Sequence, residues 1–282
     1  MSSVQTSDTL REWRETAPFW AEHHATIRAM FSPVTRALIE QAQIIEGQNV
    51  LDVAGGPGEP ALTIARTVGE TGSVTCTDPI KEMVEAAQAE ARNQGLTNTR
   101  FHQCTADSLP FADESFDVVV CRLGAMFFPE PVESFREILR VTKANGTVAF
   151  AVWGKSELNP FCYAVTDVMS RHVEAPPADP DAPGAFRFAE LGKLARVMMQ
   201  AGARDVEERV FKFNIEARIS AAEFWAMRSQ TSETLRQKLS KLREEERSQI
   251  AAEVQEAVRE FFPSRQMKFP AQMIIVSGHR AS

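Results

Sequence analysis

Asp52 closes a short apolar run, Asn49-Val50-Leu51-Asp52-Val53, and the chain continues Ala54-Gly55-Gly56-Pro57-Gly58-Glu59-Pro60. An acid followed by clustered glycines and a helix-compatible segment from Ala61 to Val68 predicts a strand, a tight turn and a helix, the unit that binds nucleotides. Glycine suits such a turn because positive φ is needed and the backbone must pass close to a ligand. Three ligands compete for it. A phosphate-cradling loop requires Lys and Ser or Thr after its last glycine, and Glu59-Pro60 stands there instead. Gly56-Pro57-Gly58-Glu59-Pro60-Ala61 formally fits a dinucleotide fingerprint. Against that fit, Glu59 puts negative charge where a pyrophosphate would lie, and Pro60 removes a backbone donor. The third ligand is a cationic nucleoside without phosphates, for which Asp52 and Glu59 are favourable.

Two further acids extend the pattern. Asp78, before Pro79, ends the next predicted strand, where a carboxylate can take both ribose hydroxyls; a surface acid before proline is the plainer reading. Asp107, within Ala106-Asp107-Ser108-Leu109-Pro110-Phe111, can accept from the exocyclic amine of adenine, or can cap a turn. Asp117 reads as structural. No His, Cys, Asp and Glu cluster has metal-ligand spacing, so no metal is expected.

Asp52, Gly56 and Gly58, the segment Asp78-Pro79-Ile80-Lys81-Glu82-Met83, the Ala106 to Phe111 stretch and Phe116-Asp117-Val118-Val119 resemble class I S-adenosylmethionine (SAM) dependent methyltransferases. The branch is the one typified by the ubiquinone/menaquinone-biosynthesis enzymes. The resemblance spans roughly Gly47 to Trp153, and Ala54 departs from it where the family's first glycine often stands. It implies a doubly wound, Rossmann-like α/β fold whose seven-stranded sheet is mostly parallel, with the last strand antiparallel. It also implies SAM as cofactor, S-adenosylhomocysteine as product, and methyl transfer by in-line displacement. Asp52, Ala54, Gly55, Gly56, Gly58, Asp78, Pro79, Met83, Ala106, Asp107, Ser108, Cys121, Arg122 and Leu123 are the expected cofactor contacts, with Arg122 able to orient an acidic substrate or the SAM carboxylate. Trp20, Met126, Phe127 and Phe128 would line the acceptor, an aromatic or lipid-like small molecule; core packing explains the last three equally well. A general base is needed only if the acceptor is not already deprotonated, and His24 and Tyr163 are the candidates. A non-catalytic SAM-binding protein and an NAD-dependent oxidoreductase are the alternatives.

The elements that must position these residues follow from periodicity. Large or apolar residues at Trp13, Ala17, Trp20, His24, Ile27 and Phe31 lie on one helical face, with Pro18 starting or kinking the helix. Ser32 and Pro33 predict the start of a second helix running to about Ile45, and residues 1–10 read as disordered. Strands are predicted at 73–77, 100–104, 115–121, 146–153, 205–213 and 267–279. Helices are predicted at 80–93, 131–141, 161–172 and 188–201, with a loop at 174–184 and a charged helical segment at 220–262. The expected division is an N-terminal helical lid (1–46), a SAM-binding α/β domain (47–219), a helical insertion over the substrate side (220–262) and a final strand (263–282).

Composition limits the rest. An apolar share of 44% and a charged share of 24% are ordinary for a globular protein. A net charge of −7 without basic runs argues against nucleic acid as a partner. Scattered cysteines and the lack of an apolar leader or membrane-length run give a cytoplasmic expectation, as monomer or homodimer.

Overall fold

The computed structural model describes residues 3–173 and 179–282, so part of the loop expected at 174–184 lies outside the described residues. Seven strands form one sheet in the order β3-β2-β1-β4-β5-β7-β6. Its centre is β1 (Asn49–Val53), β2 (Ser73–Asp78), β4 (Phe116–Arg122) and β5 (Thr142–Trp153), with β3 (Thr99–Gln103) at one edge. These five strands pair parallel. Then β7 (Met267–His279) inserts antiparallel between β5 and the outer strand β6 (Arg204–Ala217). The run Val118-Val119-Val120-Cys121 is buried, as a central parallel strand covered on both faces requires.

The helices α3 (Ala61–Val68), α4 (Lys81–Asn93) and α5 (Pro131–Val141) are the crossovers between parallel strands, and α6 (Pro160–His172) and α7 (Lys193–Ala201) follow β5. With strand order reversing between β1 and β4, the carboxyl ends of those strands diverge, and the crevice left there is where open α/β sheets take ligands. The insertion between β6 and β7 divides into α8 (Ala221–Thr231), α9 (Glu233–Ser240) and α10 (Glu244–Ala257). Ser220 caps α8 in a reciprocal box with Glu223.

The N-terminal segment departs from expectation. Helix α1 covers Ser3–Glu22, including most of the stretch expected to be disordered, and α2 covers His24–Gln41 without interruption at Ser32 and Pro33. Pro33 sits inside α2, and the Ser32 hydroxyl donates to the carbonyl of Ala29 at 3.0 Å rather than capping a helix start. Burial of Ile27, Met30, Phe31, Val34, Ala37 and Leu38 along one stripe of α2 outweighs the single backbone bond that Pro33 cannot make. The break falls at His23, which separates the two helices. Helix α7 begins at Lys193 rather than near Phe188, because Gly192 enters it at φ 79°. Phe188 is buried in the preceding loop.

Candidate functional site

A cavity of about 520 Å³ lies against the carboxyl ends of β1, β2 and β4 and is bounded above by α1, α2 and α8. That volume falls in the range of small-molecule sites. Its walls are built from the sheet edge outward.

The turn after β1 forms the first wall. Ala54 (φ 55°) and Gly56 (φ 56°) both take the left-handed conformation, and the Glu59–Pro60 peptide is cis. Ala54 carries its Cβ at a position where glycine would be unstrained, and that Cβ packs so closely on Gly124 that a Cβ there would approach to 2.6 Å. At Gly55 an added Cβ would meet Cys76 Sγ at 2.5 Å and Asp52 Oδ2 at 2.6 Å, whereas at Gly56 it would meet nothing within 4 Å. Gly55 is therefore required by packing, and Gly56 presents bare backbone to the cavity.

Asp78 forms the second wall. Its Oδ2 accepts the Gly56 N–H at 3.0 Å and its Oδ1 accepts the Ile80 N–H at 2.9 Å. These bonds fix the carboxylate beside the glycine turn and leave each oxygen a second lone pair. Burial raises the Asp78 pKa to about 6, against the pull of those two amides. Pro79, Met83, Ala106 and Asp107 complete this side.

The third wall follows β4. Arg122 Nη1 donates to Thr35 Oγ1 at 2.7 Å and to the Phe31 carbonyl at 3.4 Å, and Nη2 donates to the Glu59 carbonyl at 3.1 Å. Arg122 lines the cavity, but those bonds commit it to fastening α2 onto the glycine turn. Leu123, Met126, Phe127 and Phe128 also line the cavity, and Trp13 meets Phe127 edge-on at 5.1 Å.

Asp52, Gly58, Ser108 and Cys121 do not reach this cavity. Asp52 is fully buried behind the turn, where its Oδ2 accepts the Ala61 N–H at 3.0 Å and its Oδ1 has no hydrogen-bond partner. Burial pushes its pKa up to about 8, opposed by the Arg122 guanidinium. Gly58 packs on Leu62 and Ala87, and Cys121 is buried within β4. Asp117 is structural, accepting the Asn49 N–H at 2.8 Å and pairing with Lys143 at 2.7 Å.

Among the candidate bases, His24 lines the cavity and Tyr163 does not. Tyr163 is exposed on α6, because the buried face of that helix is taken by Phe161, Cys162, Val165 and Val168. His24 Nδ1 lies 2.8 Å from the Ala21 carbonyl and Nε2 lies 3.5 Å from Glu90 Oε2. Trp20 lines the cavity, and its Nε1 donates to the Thr231 carbonyl at 3.2 Å, joining α1 to α8.

Arg228, Thr231 and the aromatic pair Trp153 and Phe161 also line the cavity, and sequence reasoning did not single them out. Arg228 lies in a segment crowded with charged residues, so its local sequence carried no signal. Among the described residues no group of three or more His, Cys, Asp or Glu side chains could hold a metal ion. Among the described residues no helix is long and apolar enough to cross a membrane.

A doubly wound sheet with its cavity at the β1–β4 switch point and an acid ending β2 is a Rossmann-like arrangement, with the cavity where open α/β sheets take ligands. Residues 51–150 match the family model described as a methyltransferase domain. The chain is 41% identical over 109 residues to the uncharacterized methyltransferase YcgJ of Bacillus subtilis, covering 39% of this chain and 42% of that protein. It is 32% identical over 139 residues to the ubiquinone/menaquinone biosynthesis C-methyltransferase UbiE of Klebsiella pneumoniae, covering 49% of this chain and 55% of that protein. The matched stretch thus spans about half the length of these curated relatives. The crystal structure of YcgJ superposes with a TM-score of 0.58 at 22% identity, over 89% of this chain and 99% of YcgJ, a likeness of fold.

Proposed function

We propose that the protein is a SAM-dependent methyltransferase acting on a small molecule. The observation that carries this reading is Asp78: an acid held by the Gly56 and Ile80 amides at the cavity edge, beside a turn that presents bare backbone. Its free lone pairs suit two vicinal ribose hydroxyls. Asp107, on the same side of the cavity, suits an adenine amine. The donor set thus fits an adenosyl sulfonium, and a cavity rich in carboxylates suits its positive charge. A pyrophosphate fits poorly, because Glu59 sits at the start of α3 with its carboxylate accepting from Thr63 Oγ1 at 2.7 Å, and Pro60 offers no amide. Chain coverage of UbiE and YcgJ, both named methyltransferases, supports the same reading.

SAM supplies an activated methyl group with a neutral thioether as leaving group. The chain's task is alignment and exclusion of water, with reacting atoms ~3–3.5 Å apart. Gly55, Gly56, Asp78, Pro79, Met83, Ala106, Asp107 and Leu123 would hold the cofactor. Trp20, Met126, Phe127 and Phe128 would enclose an apolar acceptor. Helices α1 and α8 to α10 would act as the lid, with Trp20 and Thr231 as its clasp. His24 would take a proton at Nε2 when the acceptor has one to lose, since Nδ1–H is directed to Ala21 and the Glu90 carboxylate stabilises the imidazolium formed.

Calorimetric titration with SAM, S-adenosylhomocysteine and NAD tests the reading. Binding of the two adenosyl ligands without NAD is expected. NAD binding with no response to either adenosyl ligand would overturn it in favour of an oxidoreductase. Binding of SAM without turnover on any acceptor would favour a non-catalytic role.

A further inference from the structure

Among the described residues three arginines line the cavity, and two are spoken for. Arg28 pairs with Glu90 at 3.5 Å, and Arg122 donates to Thr35 and Glu59. Arg228, on α8, has neither an ion pair nor a hydrogen bond among the described residues, and its Nε is buried with no partner. Its guanidinium lies over the Phe161 ring at 4.8 Å, and Phe161 stacks in turn on Trp153 at 6.4 Å and 18°. Cys162, Met227 and Thr231 are buried and line the same cavity, and the Thr231 hydroxyl is committed to the Met227 carbonyl at 2.8 Å, so none of them supplies an anion.

Arg228 is half-buried, with Nε shut off from water and its terminal nitrogens still accessible, and leaving the buried Nε without an acceptor is costly where an apolar side chain of the same length would not be. The cation–π contact with Phe161 offsets part of that cost but satisfies none of the N–H donors. An anion entering the cavity would supply the partner that this guanidinium lacks. We infer that the methyl acceptor carries a carboxylate on an apolar or aromatic body, and that Arg228 receives that carboxylate.

This rests on the methyltransferase reading and specifies its substrate class. A carboxylate is favoured over a phosphate on charge. One guanidinium neutralises one negative charge, and Glu59, Asp78, Glu90 and Asp107 line the same cavity and would repel a second. The planar fork of arginine also matches the two oxygens of a carboxylate. Trp153 and Phe161, which line the cavity beside it, suit an apolar body.

The test uses the full-length protein saturated with S-adenosylhomocysteine and, by calorimetry, compares benzoate, cinnamate and naphthoate with their carboxamides. The acids are expected to bind about tenfold tighter than the amides or better, a charge-assisted contact being lost in the amide. Arg228→Gln should erase that preference, Arg228→Lys should retain part of it, and S-adenosylhomocysteine affinity should be unchanged in both. Thermal melts establish that each variant folds, and the Lys variant carries the comparison if the Gln variant does not. The inference is overturned if the wild type binds acids no better than amides, or if the preference survives in Arg228→Gln. It is also overturned if either variant loses S-adenosylhomocysteine affinity, which would place Arg228 on the amino-acid portion of the cofactor. Failure of the wild type to bind S-adenosylhomocysteine would be the distinct failure of the methyltransferase reading.

Discussion

The Asp52 carboxylate accepts the Ala61 N–H at 3.0 Å, so the acid that ends the apolar run of β1 fastens the first turn of α3 and faces away from the cavity. With Gly55 packed against it, Asp52 sets the path of the glycine turn from behind, and Asp78 reads the cavity from in front.

That burial gives stability a pH dependence. The pKa of Asp52 rises from 3.8 to about 8 on folding, so the folded state holds a proton that the unfolded chain releases. The associated stability is present below about pH 4 and is lost as pH rises towards 8. Asp52→Asn, which cannot ionise, should flatten the decline. Urea midpoints at pH 5 and pH 8 check this, and parallel declines in the two proteins would count against it.

Asp78 should show the opposite sense in binding. With its pKa raised to about 6, it is ionised at pH 7.5 and largely protonated at pH 5. Affinity for S-adenosylhomocysteine should fall by roughly tenfold between those values, one pH unit below the pKa leaving about a tenth of the carboxylate ionised. Asp78→Ala should abolish measurable binding at both. Unchanged affinity in the Ala variant would mean that the ribose lies elsewhere.

The two neighbouring glycines should respond differently to alanine. A Cβ at Gly55 would sit 2.5 Å from Cys76 Sγ, and Gly55→Ala should cost about 1–3 kcal/mol of stability, as overpacking does. A Cβ at Gly56 meets no protein atom within 4 Å, so Gly56→Ala should cost only the left-handed φ, about 1 kcal/mol. It should nevertheless weaken ligand binding, because the new methyl group occupies the cavity side of the turn. Melting temperatures and titrations on both variants separate the effects.

Trp20→Phe keeps the apolar wall but removes the bond to Thr231 that joins α1 to α8. It should lower stability by roughly 1 kcal/mol and speed amide exchange in α1 and α8 more than in the sheet. Uniform acceleration would show that the bond is not a local clasp.

The alternation of strand and helix from β1 to β5, the glycine turn and the acid at the end of β2 were legible in the sequence, each written in local periodicity or in a residue type that the backbone demands. The antiparallel last strand was expected only from the family resemblance, and β7 has that direction. The elements that were misplaced are those where local and tertiary preferences conflict. Ser32 and Pro33 have the local chemistry of a helix start, yet the apolar stripe from Ile27 to Leu38 buries against the sheet and carries α2 through them. The direction in which a side chain points was also beyond local reading. Asp52 and Asp78 both lie at the carboxyl ends of parallel strands, but only the folded turn decides that one faces α3 and the other the cavity. Tyr163 and Arg228 show the same division: adjoining helices bury one face of α6, leaving Tyr163 outside, and bring Arg228 of α8 over Phe161. Sequence by itself thus determined the fold class and the turn where a nucleoside would sit. Tertiary structure decided which polar groups reach the cavity, because burial and partners are set by chain segments far apart in sequence.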